Sequence, residues 1–323
     1  MSQKPIPKAT SKPRSIAVGI DIGGTKVALL AEEIRPGDDN DKYNYKTAEI
    51  ARRRFATPEG IDPGGIIELL RDEIAAMLNE AGRDMSEIAA VGAAVPGLVD
   101  ENGHLLAAGN LGWSDFPFRA RLAEVLGVPA FVEHDANAAA LGERWIGHAR
   151  DLHSFVFLAL GTGIGAGLFL DGRLYRGAHH AAGELGDLIP GRGGLGKTPI
   201  KARPLSEFIG SGAIREIARD ASGEDLDAAS FIRAGQSGEN SELKPLAEKV
   251  VDYIAIAVIS LITVVDPEAI IFGGGTSSAG DELIERVRDR VRNRVHEIPK
   301  LLRSALGEDA QLHGAIYGAL TQI

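Results

Sequence analysis

The stretch Gly19-Ile20-Asp21-Ile22-Gly23-Gly24-Thr25-Lys26 places an acid, a glycine pair, a hydroxyl and a positive charge side by side. Apolar runs flank it, Ile16-Ala17-Val18 before and Val27-Ala28-Leu29-Leu30 after. Two β-prone runs joined by Gly-Gly read as a hairpin. The glycines let backbone approach a ligand closely, and the free N–H groups of such a turn favour phosphate oxygens. Asp21, just before the turn, can hold Mg2+ through water, because that ion keeps much of its hydration shell and takes few carboxylates. Read blandly, the same residues are an ordinary turn beside a solvated acid.

Related glycine clusters recur downstream. The apolar run 155–160 leads into Gly161-Thr162-Gly163-Ile164-Gly165-Ala166-Gly167 and then Leu168-Phe169-Leu170. This nearly spells the dinucleotide fingerprint, but position 166 is Ala and a strand follows where that fingerprint needs a helix. A second phosphate hairpin fits better. Ala269-Ile270-Ile271-Phe272 ends in Gly273, Gly274 and Gly275. These glycines suit either close approach of a flat ligand such as adenine or a tight strand-to-helix turn.

Phosphoryl transfer to a hydroxyl needs phosphate cradles, Mg2+ and a carboxylate that accepts the hydroxyl proton. Asp135 is the best carboxylate, in Val132-Glu133-His134-Asp135-Ala136-Asn137 between a short strand and a helix. The same position suits a helix N-cap, a role Asp favours. Glu184 and Asp187, three apart, can share one face and grip vicinal hydroxyls, or form a solvated turn. Asn110 is a turn former or a hydroxyl ligand. Gly191-Arg192-Gly193-Gly194-Leu195-Gly196-Lys197-Thr198 matches the P-loop pattern letter for letter, yet a P-loop must follow a buried strand and open a helix. Asp187-Leu188-Ile189-Pro190 is a poor strand, and Pro204 breaks any helix that follows. A basic loop is the better reading.

The elements that must position these groups alternate between strand and helix. Strands are expected at the two hairpins and near 48–55, 88–95, 130–132 and 269–272. Helices are expected from Asp62-Pro63 to about Glu80, and over 118–126, 136–145 and 243–265. Residues 35–46 and 189–204 read as loops. This alternation implies an α/β fold. At 323 residues, 44% hydrophobic and 25% charged, the chain suits two globular domains. Its net charge of -10 argues against nucleic-acid binding. Cysteine is absent, which removes disulfides, thiol catalysis and thiolate metal sites. No apolar run is long enough to cross a membrane. The polar start, lacking the apolar core of a signal peptide, reads as a short tail on a cytoplasmic protein.

Together these residues resemble the ROK family of sugar kinases, within the actin-like ATPase superfamily. The matching pieces are Asp21 to Lys26, Ala94 to Asp100, Asn110 to Trp113, Glu133 to Glu143, Leu160 to Gly165, Ala182 to Gly186 and Phe272 to Gly275, in the family's order. The resemblance implies two RNase H-like α/β domains around a cleft that takes ATP, Mg2+ and a hexose. It implies a disordered tail over 1–14, an N-terminal domain over 15–135 plus 308–323, and a larger domain over 136–307. Asp135 would be the catalytic base, usually on a 6-OH, and Asp21 would organise Mg2+. Gly23, Gly24, Thr25 and Lys26, with Gly161, Thr162 and Gly163, would hold phosphates, while Gly273, Gly274 and Gly275 would flank adenosine. Gly97, Asn110, His134, Glu184, Asp187 and Glu207 would line the sugar. A homodimer is expected.

Three departures qualify that likeness. Family members usually carry Asn where this chain has His134, and His where it has Asp187. Their cysteine-rich zinc segment is replaced here by 193–207, of which only the closing Glu207 remains, so no zinc is expected. The leading expectation is an ATP-dependent hexose kinase. Alternatives are a kinase that uses polyphosphate, with Arg192, Lys197, Lys201 and Arg203 as a basic rim, one that acts on an amino or N-acyl sugar, and a non-catalytic sugar-sensing regulator. Too few residues precede the first strand for the DNA-binding segment such regulators carry.

Overall fold

The computed structural model describes residues 14–37, 45–191, 204–237 and 241–323. The lookalike P-loop motif beyond Gly191 and the basic residues Arg192, Lys197, Lys201 and Arg203 lie outside them, as does all but the last residue of the expected tail. The chain divides into two compact units, one running to Glu133 and rejoined by Ala315–Ile323, the other spanning His134–Gly314.

The first unit is built on β1 (Ile16–Ile22), β2 (Lys26–Pro36), β3 (Tyr45–Ala56), β4 (Ile88–Val95) and β8 (Ala130–His134), in the order β3-β2-β1-β4-β8. β1 to β3 form an antiparallel meander, and β4 runs parallel to β1. A separate small sheet holds β5 (Leu98–Val99), β6 (Leu105–Ala108) and β7 (Trp113–Phe116). Helix α1 (Pro63–Glu80) starts where expected, because Asp62 accepts the N–H groups of Gly64 and Gly65 and a proline follows it. Its buried Ile66, Ile67, Leu70, Ile74, Met77 and Leu78 recur at helical spacing and join Ile20, Val91 and Val95 in one core. Burying a side chain of this size contributes about 1.5–3 kcal/mol. Helix α2 (Phe118–Leu126) packs into the same core through Phe118 and Leu122.

The second unit repeats that sheet plan. Its strands are β9 (Phe155–Leu160), β10 (Ile164–Leu170), β11 (Arg173–Tyr175), β12 (Ala269–Gly273) and β13 (Lys300–Arg303), in the order β11-β10-β9-β12-β13. In both sheets the third, second, first, fourth and fifth strands lie side by side. Helix α3 (Asp135–Ile146) opens this unit, followed by α4 (Ser206–Ile209), α5 (Ser211–Ser222), α6 (Ala228–Ser237), α7 (Leu243–Val265), α8 (Asp281–Val291) and α9 (Ala310–Leu320). The expected long apolar helix is α7, whose Val251, Ile254 and Val258 are fully buried beside Val156 and Leu158 of β9.

Several boundaries move from those expected. β2 runs to Pro36 and β3 begins at Tyr45, so the loop is shorter than 35–46. The two strands stay paired to their ends, with Arg35 opposite Lys46. Arg52 and Arg53 of β3 meet Glu49, Glu73 and Glu80, which accommodates the charge of an edge strand. β8 extends past Val132 through buried Glu133 to His134. Asp135 is not the N-cap of α3. It is the first helical residue, and the capping position falls to His134, whose side chain makes no cap bond. The strands of the small sheet, β11 and β13 are too short for a period to be read from sequence.

In the second unit α3 meets α9 through backbone. A Cβ on Gly142 would lie 2.3 Å from the carbonyl oxygen of Ala310, and one on Gly314 would lie 1.6 Å from that of Ala138. Gly142→Ala therefore sets two effects against each other. Helix propensity favours Ala by up to about 1 kcal/mol. Overpacking costs about 1–3 kcal/mol, and with a backbone oxygen in the way the upper end applies. The urea midpoint should fall. A higher midpoint would mean that the two helices are not docked this way.

Candidate active site

The expected site residues fall in both units. In the first, Asp21 lies half-buried near the end of β1, and Gly24, Thr25 and Lys26 are exposed at the turn. Gly23 N–H donates to Lys26 O at 2.8 Å and closes the hairpin. Thr57 braces it from the side, its hydroxyl donating to Gly23 O at 2.7 Å and its N–H to Thr25 O at 3.1 Å. A Cβ on Gly24 would come within 3.9 Å of Asn110 Cβ, so Asn110, in the turn between β6 and β7, lies beside this loop. Gly97 has φ +99°, and a Cβ there would sit 2.0 Å from Ala107 O. Its glycine is thus demanded by the small sheet whatever it does for a ligand.

These residues fit Mg2+ as a water-bridged ion. Asp21 supplies one hard carboxylate. Among the described residues no group of three or more His, Cys, Asp or Glu is arranged for a fully protein-ligated metal. One carboxylate plus substrate phosphates is the usual way this ion is held.

In the second unit one strand gathers the rest. Gly165, Ala166 and Gly167 of β10 are small, and α3 lies directly on them. A Cβ on Gly167 would be 2.2 Å from Ala136 O, and one on Gly165 would be 3.4 Å from Ala136 Cβ and 3.6 Å from His134 Cε1. Ala166 N–H donates to Gly183 O at 2.8 Å, which ties the Glu184 loop to the same strand. Gly183 takes φ +91°, and a Cβ there would strike Ala166 O at 1.9 Å. Asp187 ends the short turn Leu185–Asp187 and is exposed. Glu207 is exposed on α4, whose Ser206 packs near Gly186.

His134, Asp135 and Glu184 come together. His134 Nε2 lies 3.0 Å from Asp135 Oδ1 and 3.8 Å from Glu184 Oε1, with the His side chain 12% exposed and the carboxylates 39% and 36%. Ala136 N–H also donates to Asp135 Oδ1, at 2.6 Å. Both donors thus converge on one carboxylate oxygen, and Oδ2 has no hydrogen-bond partner among the described residues. Burial pushes the Asp135 carboxyl up, but the positive charge and hydrogen bond of His134, with the Ala136 N–H, outweigh it and hold the group below the usual carboxylate range. Glu184 moves the other way. Burial raises it, His134 opposes, and the charges of Asp135 and Asp187 raise it further.

The second glycine turn is open. Nothing lies within 4 Å of a Cβ on Gly163, and Thr162 and Gly163 are exposed. The three glycines after β12 differ among themselves. Gly273 is required by the Phe157 ring, 2.1 Å from its would-be Cβ, and Gly274 by φ +79° and Leu160 O at 2.5 Å. Gly275 faces open space. The tight-turn reading therefore accounts for the first two, and close ligand approach is left to the third. Contact of Gly274 with the end of β9 sets this turn beside the one at 161–163. Reading the sequence did not single out Thr57 or the small-residue run 165–167 as site supports. The run carried a signal in its two glycines within a strand.

The ROK family model matches residues 17–321. A glucokinase of Halalkalibacterium halodurans is 27% identical, covering 92% of each chain. An N-acetyl-D-glucosamine kinase of Vibrio cholerae is 28% identical over 93% of this chain and 98% of its own. A xylose repressor of Caldicellulosiruptor bescii is 25% identical over 90% of this chain and 74% of its own. Among solved structures, a ROK family glucokinase from Streptomyces griseus in complex with glucose and AMPPNP superposes with TM-score 0.74 at 25% identity, covering 95% of this chain and 99% of that one. The repeated α/β sheets, the two glycine hairpins and the match across nearly the whole sequence together make this chain a member of the ROK family.

Proposed function

We propose that this protein is an ATP-dependent sugar kinase that phosphorylates a hexose hydroxyl, with Asp135 as general base. One observation carries the reading. Two donors, His134 Nε2 at 3.0 Å and Ala136 N–H at 2.6 Å, hold Asp135 Oδ1 and favour its ionised form, and Oδ2 is left to accept a proton. A general base must have this combination of charge, fixed orientation and a vacant lone pair. In the reaction the sugar O–H loses its proton to Oδ2, its oxygen forms a bond to the γ-phosphorus, and ADP leaves with the electrons of the broken P–O bond. Gly23, Gly24 and Thr25 would hold phosphate oxygens, as would Gly161, Thr162 and Gly163. Mg2+ held through Asp21 would neutralise charge on the transferring group. Asn110, Glu184, Asp187 and Glu207 would hold sugar hydroxyls.

The N-acetylglucosamine kinase among its relatives keeps an N-acyl sugar open as substrate beside glucose. The xylose repressor keeps a regulator open, but a regulator has no need of an oriented, ionised base. A coupled ADP-release assay across glucose, mannose, fructose, allose and the N-acetylated amino sugars discriminates them. Sugar-dependent ADP release is expected with at least one. Sugar binding without turnover on any would favour the regulator. With the accepted sugar, Asp135→Asn should lower kcat by roughly a hundredfold or more while leaving the melting temperature nearly intact. Near-normal turnover would remove Asp135 from the mechanism.

Asp187 provides a separate check on the sugar side. Ionised, it only accepts hydrogen bonds, and it acts on Glu184. Asp187→Ala should raise the Michaelis constant for sugar several-fold more than that for ATP. Equal effects on both constants would take this turn out of the sugar site.

A further inference from the structure

We propose that His134 is the positioning residue of the base, its Nε2–H holding Asp135 Oδ1 so that Oδ2 is presented to the sugar, with the same ring edge set against Glu184. This rests on reading Asp135 as the base, and it gives His134 a task different from that of a sugar contact. The ring is mostly buried at 12% exposure. β10 meets it through Gly165, at 3.6 Å from Cε1, and so brings no charge to that side. The carboxylates facing Nε2 are Asp135, the next residue, and Glu184, from the loop tied to Ala166. Asp187 acts on Glu184 in turn.

When protonated, His134 does two things between these carboxylates that a neutral amide at this position would not. It forms a charge-assisted hydrogen bond, roughly twice as strong as a neutral one. It also favours the ionised form of both neighbours, so Asp135 stays a base at pH values where an unassisted buried carboxyl would take up a proton. His134 thereby couples the group that takes the proton to the group that grips the sugar.

The test compares wild type with His134→Asn and His134→Ala. In His134→Ala, kcat should drop roughly tenfold or more, the scale of a lost hydrogen bond to a charged group, while the ATP Michaelis constant moves little. The acid limb of the kcat/KM profile should shift to higher pH in both variants, because the sign follows from losing a charge that favours carboxylate over carboxylic acid. His134→Asn should recover part of kcat at neutral pH, where only orientation is at issue, without restoring the acid limb. A rise in sugar Michaelis constant alone, with kcat and acid limb unchanged, would make His134 a substrate contact and overturn the proposal. So would an unaltered kcat and pH profile in a folded His134→Ala variant. Nitrogen-15 spectra of the imidazole give a readout that needs no turnover. The Nε2 resonance of His134 should be of the protonated type at neutral pH and should shift in Asp135→Asn. An unprotonated Nε2 would overturn the pairing. If no sugar supported ADP release, the base reading would fail while these spectra still judged the His134–Asp135 pair.

Discussion

The contact of α3 with β10 is the constraint on which the second unit's part of the site depends. The helix can lie this close to the strand only because Gly167 places no side chain between them. With a methyl at 167, 2.2 Å from Ala136 O, the helix would have to lift at its first turn. That turn carries Asp135, and the residue before it is His134. The same strand pairs through Ala166 N–H with Gly183 O and so fixes the height of Glu184. Asp135, His134 and Glu184 are thus set by one short strand of small residues. Errors of even 1 Å in such a constellation are costly to catalysis.

The two units solve one backbone problem twice. In each sheet the first two strands meet across a glycine turn, with Ile22 opposite Val27 in one and Leu160 opposite Ile164 in the other. Gly23 N–H closes the first turn on Lys26 O, and Gly161 N–H closes the second on Gly163 O at 3.1 Å. The remaining turn residues stay exposed, as a phosphate-binding loop requires. Supports differ: Thr57 braces the first, while Ser211 N–H donates to Gly161 O at the second.

Much of this was legible in the sequence, for identifiable reasons. The hairpins announced themselves because apolar runs stop abruptly at glycine, and α1 because Asp62, Pro63 and a helical apolar period agree. The small sheet was hidden because strands of two to four residues show no period, and Gly97, which it requires, reads simply as a turn. Asp135 was ambiguous between cap and base. Capping depends on where the strand ends, and β8 runs two residues further than its apolar core because Glu133 is buried with it. His134 stood out only as a departure from the family pattern. Its meaning lies in distances to Asp135 and to a residue fifty positions away, which no local pattern encodes.

The absence of cysteine raises the question of what holds the segment that a zinc site usually holds in this family. Among the described residues, backbone pairing and close packing join the positions on either side of 192–203. Leu205 N–H donates to Leu188 O at 2.8 Å and ties the two ends of the segment together. Leu205 is fully buried in the main core of the unit, and Leu188 packs against it. Gly186 lies against Ile164 O, and Gly210 against Thr162 O, each too close for a side chain without adjustment. The Glu184 loop and the start of α5 are therefore packed against the 161–163 turn and the residue that follows it. Asp187 stands in the same neighbourhood, and its charge, together with that of Asp135, raises the Glu184 carboxyl. Burial and these two charges favour the protonated form of Glu184, whereas His134 opposes them there and favours the ionised form of Asp135. The substitutions at 134 and 187 are then two sides of one electrostatic balance.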